Sequence, residues 1–320
     1  MPTPLPLTTR IARDTPTFQI GCIKALVCCY NEISSLQPKE RERMPEEAGL
    51  YYSVYEGGNS AQAPVVLIHG AGGSHLSWPV EMRRLSGQRV ISVDLPGHGK
   101  SGGVAQQFIP GYADQIHDFL ARLGLPESVL VGHSLGGAVA LTIALKYPRQ
   151  VAGLGLIATG AYLGVDNGLL QELSNPVTAS CGLRKLEALS FSPSSSPALV
   201  NQVMRGLKDL RPSLLLADWL ACSNFDLREL VGQIHAPAWV ACGTDDRITP
   251  LAYAHFLANT LPAAELQVFP QAGHMLVQEQ SRAVADGLRQ FLTTRQPVIE
   301  SYCWDLQRQY AQVKSIRKNP

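Results

Sequence analysis

A mostly parallel β-sheet covered by helices on both faces, interrupted once by a helical insertion, is the fold this sequence predicts. Three observations lead there. From about residue 50 onward, short β-rich runs alternate with helical patterns, which is how α/β layering reads in a sequence. The β-rich runs are nearly continuous in Val, Ile and Leu, as strands buried on both faces must be. Between Tyr162 and about His235 the alternation stops, and leucine-rich segments such as 200–210 and 214–222 replace it.

Taken in order, the expected strands are 51–55, 64–68, 89–93, 128–131, 151–158, 237–242 and 265–269. The segment 162–235 is read as a helical cap inserted after the strand at 151–158, with the run from Phe191 to Pro197, rich in Ser and Pro, as a solvated break between its helices. The core is then 44–161 together with 236–293. Residues 1–43 are read as an extension, either an upstream start or a disordered arm. Their apolar stretch from Ile20 to Tyr30 is interrupted by Lys24 and is too short to span a bilayer. No secretory signal is clear there, so a cytoplasmic location is expected. Residues 294–320 are read as a second extension, an added helix packing on the body or on a partner.

The run Gly132-His133-Ser134-Leu135-Gly136-Gly137 follows the apolar strand at 128–131 and precedes a small-residue helical pattern, 138–146. It reads as a nucleophile elbow. A serine projected from a sharp strand-to-helix turn needs neighbours without bulky side chains two positions away, and Gly132 and Gly136 supply them. The free N–H of Leu135 and the positive end of the helix would face an oxyanion formed at Ser134. Two further strand ends carry the rest of the apparatus in the chain order Ser, Asp, His. The strand at 237–242 runs into Gly243-Thr244-Asp245-Asp246, and the strand at 265–269 runs into Pro270-Gln271-Ala272-Gly273-His274. His274 can take the serine proton while a carboxylate holds the imidazole.

These motifs, with His69-Gly70-Ala71-Gly72-Gly73 after the strand at 64–68 and the loop from Asp94 to Ser101, resemble the α/β-hydrolase superfamily, of the capped serine esterase and haloperoxidase-like kind. The resemblance covers roughly residues 49–293. It implies Asp246 as the acid, in a Gly243-x-x-Asp246-x-x-x-Pro250 pattern, with Asp245 as the alternative. It implies Ala71 N–H as the partner of Leu135 N–H in an oxyanion hole, with Gly72 next in line. Trp78, Gly72, His133, Leu135 and cap residues are the expected pocket lining. His69 is expected to brace the oxyanion loop, and Asp94 and His98 to make turn hydrogen bonds.

Length and charge fit one sizeable core. The chain has 320 residues, 27 Lys and Arg against 26 Asp and Glu, and a formal net charge of +1, so no basic field exists to attract nucleic acid. Seven scattered cysteines (22, 28, 29, 181, 222, 242 and 303) form no C-x-x-C pair, which argues against a zinc site or a disulfide framework. No metal and no cofactor is expected. Serine at 134 argues against the dehalogenase and epoxide hydrolase branches, which the resemblance associates with an aspartate there. The expected activity is cleavage of small to medium carboxylic esters through an acyl-enzyme. Lactone hydrolysis, carbon–carbon bond hydrolysis and perhydrolysis are the alternatives within the enzyme class. A ligand-binding protein of the same fold without turnover is the alternative outside it.

Overall fold

Each of the seven expected strands is found within two residues of its expected bounds in the computed structural model, whose described residues are 46–58, 62–125 and 127–318. The extension at 1–43 lies outside them. The strands are β1 (Glu46–Glu47), β2 (Leu50–Glu56), β3 (Val65–Ile68), β4 (Arg89–Val93), β5 (Ser128–His133), β6 (Val151–Ile157), β7 (Ala238–Gly243) and β8 (Ala264–Phe269). They form one eight-stranded sheet in the order β1-β2-β4-β3-β5-β6-β7-β8. β1 and β2 join antiparallel, and every pairing from β4 to β8 is parallel. The two-residue β1 has no counterpart among the expected strands.

Alternation along the strands sends successive side chains to opposite faces. Val66 and Ile68 join one cluster, beneath α2 (Ile109–Arg122), α3 (Leu135–Lys146) and α8 (Leu251–Thr260). Val65 and Leu67 join the other, beneath α1 (Val80–Arg83), α9 (Leu276–Glu279) and α10 (Ser281–Lys318). Both faces of the inner strands are therefore dry, which is why β3, β5, β6 and β7 are buried at every position.

The insertion between β6 and β7 carries α4 (Asn167–Ser174), α5 (Ala179–Ser190), α6 (Pro197–Lys208) and α7 (Pro212–Ser223). Its two ends run side by side: Leu227 N–H donates to Ala161 O, Leu163 N–H to Phe225 O, and Tyr162 bridges Asp226. The Ser/Pro run is a helix start as well as a break. The Ser196 hydroxyl accepts from Leu199 N–H at 3.3 Å, and Pro197 occupies the first turn, where its missing N–H costs nothing.

The C-terminal end departs from expectation. No helix boundary falls at 293, because α10 continues to Lys318, so 294–318 prolongs the core helix and is not a separate element. Ile299 and Cys303 are buried in the second cluster, with Ile299 Cδ1 against Gly153 of β6. No helix among the described residues is long and apolar enough to cross a membrane.

Candidate active site

Ser134 sits between β5 and α3 with φ 53° and ψ −118°, a strained backbone that lifts its side chain off the end of the sheet. The turn is possible because two neighbours have no side chain. A Cβ on Gly132 would lie 2.2 Å from the Gly136 backbone, and one on Gly136 would lie 2.1 Å from Ile68 O. The Ser134 N–H donates to Ile157 O and its carbonyl accepts from Thr159 Oγ1, which clamps the elbow to β6. Leu135 is the first residue of α3, so its N–H has no intrahelical acceptor.

The loops after β7 and β8 bring His274 and Asp246 to this turn. His274 Nε2 lies 2.9 Å from Ser134 Oγ, and His274 Nδ1 lies 3.0 Å and 3.2 Å from the two Asp246 oxygens. A carboxylate only accepts, so Nδ1 carries the proton and Nε2 is left to accept from the serine. Asp246 also accepts from the backbone N–H groups of Ile248 and Thr249 and from the Thr249 hydroxyl. Burial works to raise the Asp246 pKa, but the charge and hydrogen bond of His274 and the Thr249 bonds outweigh it and hold the group below its usual range. Asp245 points elsewhere, accepting from Ser192 Oγ and Thr244 Oγ1.

Across from the elbow, the loop after β3 turns sharply. Gly73 N–H donates to Gly70 O and Gly72 N–H donates to Asp218 Oδ2 at 2.7 Å. Ala71 N–H has no acceptor among the described residues, and neither has Gly70 N–H before it. Gly72, the second choice for that donor, is corrected: its N–H is already engaged. His69 braces the loop, with Nδ1 donating to Gly70 O and Nε2 accepting from Leu95 N–H. Burial and the neighbouring His98 push its pKa well down.

A cavity of about 370 Å³ runs past Ser134 and His274. Ala71, Gly72 and His133 border it on the core side, and Val203, Leu207, Leu210, Leu215 and Trp219 close it from the cap. No Asp, Glu, Lys or Arg is among its lining residues. His133 donates from Nε2 to His274 O, and burial followed by the charge of His274 pushes its pKa down to about 4. Two expected lining residues are corrected. Trp78 is buried in the second core cluster with Met82 and Leu85, because the short turn at 75–77 presents Leu76 to the cavity instead. The Leu135 side chain is fully buried in the first cluster, so only its backbone faces the site.

Residues 63–280 match the family described as alpha/beta hydrolase fold. The chain belongs to the alpha/beta hydrolase fold family. Within that family it is 32% identical over 265 residues, 77% of this chain and 68% of the relative, to the dihydrolipoyllysine-residue acetyltransferase component of the acetoin cleaving system of Pseudomonas putida. It is 29% identical to 2-hydroxy-6-oxo-6-phenylhexa-2,4-dienoate hydrolase of Burkholderia cepacia, over 66% of this chain and 80% of that one. An esterase structure from Thermogutta terrifontis superposes with a TM-score of 0.69 at 25% identity, covering 77% of this chain and 93% of the other. The family and its relatives support hydrolysis as the class of reaction.

Proposed function

We propose that this alpha/beta hydrolase is a serine esterase that cleaves short to medium carboxylic esters through an acyl-enzyme on Ser134. The observation that carries the reading is the hydrogen-bonded series Ser134–His274–Asp246 opening onto an apolar cavity without charged side chains. Ser134 Oγ attacks the ester carbonyl carbon as His274 Nε2 takes its proton. The oxyanion is held by the N–H groups of Ala71 and Leu135, and Asp246 stabilises the imidazolium. Collapse expels the alcohol, which leaves with the proton from His274. Water, deprotonated by the same nitrogen, then attacks the acyl-enzyme and releases the acid.

The cavity's neutrality ranks the alternatives. The Burkholderia cepacia relative is named for a dienoate, an anion whose desolvation in this cavity would carry a penalty offset only by neutral polar groups such as Ser74, Gln202 and Gln278, with no charged side chain to pair it. Neutral esters and lactones carry no such penalty. Transfer of the acyl group to an acceptor other than water would use the same intermediate, and the Pseudomonas putida relative is named as an acetyltransferase component.

The test is a series of p-nitrophenyl esters from acetate to dodecanoate on purified protein, alongside Ser134→Ala. Turnover should be highest for short to medium chains and fall by at least about 1,000-fold in the variant. Equal turnover in the variant, or a preference for emulsified long-chain triglycerides, would defeat the reading.

A further inference from the structure

A carboxylate on the cap is fully buried against the core beside the oxyanion loop. Asp218, on α7, has none of its surface exposed. Its Oδ2 accepts from Gly72 N–H at 2.7 Å and faces His98 Nε2 at 2.8 Å, and its Oδ1 accepts from Tyr112 OH at 2.5 Å. His98 Nδ1 lies 3.0 Å from Pro96 O, a carbonyl that can only accept. Both His98 nitrogens thus meet oxygens, and protonating the ring makes a buried ion pair with Asp218. Burial works against that charge, but the hydrogen bond and charge of Asp218 and the Pro96 carbonyl outweigh it and raise the His98 pKa.

Gly72 itself shows why the contact bears on the loop. Its φ of +65° suits glycine, and a Cβ there would lie 2.8 Å from both Leu207 and Leu210 of the cap. The loop is thus pressed against the cap and tied to it through one amide. With Gly72 N–H turned to Asp218 and Gly73 N–H turned to Gly70 O, Ala71 N–H, directly beside the held amide, stays unbound, as does Gly70 N–H before it.

We propose that Asp218 is a positioning residue that, by holding Gly72 N–H, fixes the oxyanion loop from the cap side and sets the direction of Ala71 N–H. The oxyanion hole is then completed by the cap, not by the core alone. The catalytic consequence rests on the esterase reading above; the mechanical one does not. An asparagine at 218 can keep all three contacts, its oxygen accepting from Gly72 and His98 and its NH2 donating to the Tyr112 oxygen, whereas alanine removes the acceptor of Gly72 N–H outright.

The experiment compares wild type with Asp218→Ala in two measurements. With p-nitrophenyl butyrate, kcat should fall about 10- to 100-fold, as expected of a misplaced catalytic group, while KM stays within about threefold. In hydrogen–deuterium exchange, peptides spanning 70–74 should exchange faster while those spanning 131–137 do not change. Tyr112→Phe keeps the ring and its packing, weakens the hold on Asp218, and should produce the same pattern at smaller size; it decides the matter if the alanine variant does not fold. Unchanged exchange at 70–74, a raised KM with kcat intact, or faster exchange spread evenly over the chain would each overturn the proposal. Absence of Ser134-dependent ester turnover in the wild type would instead overturn the esterase reading, and exchange alone would then decide the role of Asp218.

Discussion

Two adjacent aspartates stand near the start of the loop after β7, and their side chains do different work. Asp246 gathers four donors, among them His274, whereas Asp245 binds two hydroxyls outside the elbow. Asp246→Asn should therefore lower kcat for p-nitrophenyl butyrate by about 10⁴-fold, since an amide cannot stabilise the imidazolium and favours the wrong tautomer. Asp245→Asn should cost less than about tenfold, because its hydroxyl partners can bond an amide oxygen. Comparable losses in the two variants would show that the carboxylate nearer His274 is not the acid. Sequence spacing could favour Asp246 but not separate it from its neighbour, because both precede Pro250 in one loop. Thr249, which bonds Asp246 and lies 3.2 Å from His274 Nδ1, carried no signal, since a threonine in a turn is commonplace.

At the scale of elements, the elbow and the oxyanion loop differ in how much a sequence can say about them. The elbow is legible because its constraint is local: two positions without Cβ flank a serine between an apolar run and a helix. The direction of Trp78 is not, because it depends on a one-turn excursion at 75–77 that swaps Leu76 into the cavity. Asp218 is invisible for a different reason, its partners being 106, 120 and 146 residues away. The oxyanion loop also yields a direct test. Ala71→Pro removes the free amide, so kcat should drop by roughly 100-fold or more, once circular dichroism shows that the fold is retained. Full activity in a folded Ala71→Pro protein would place the donor elsewhere.

On the scale of the whole molecule, the alternating two-faced core was the most readable feature, since burial on both faces leaves little freedom in the choice of strand residues. The C-terminal helix was less so: Pro297 lies within it, and a proline in a helical pattern ordinarily marks its end. Its part beyond Thr293 contributes to the core through Ile299. Ending the chain after Thr293 should thus cost about 2–3 kcal/mol for that side chain, lowering Tm by roughly 3–5 °C in thermal unfolding. An unchanged Tm would mean that this half of the helix contributes no net stability.

The carboxylate at 218 also bears on how such a protein could be altered. The insertion enters and leaves through adjacent chain segments at 161–163 and 225–227, which makes it look exchangeable for the cap of another enzyme with a different pocket. A graft joined there would remove the acceptor of Gly72 N–H and strand the His98 ring and the Tyr112 hydroxyl in the core. A chimera with a suitable pocket but no acid at this place would bind its ester and turn it over poorly. Recombination that respects the chemistry has to carry Asp218, His98 and Tyr112 together, although they belong to three separate stretches of the chain.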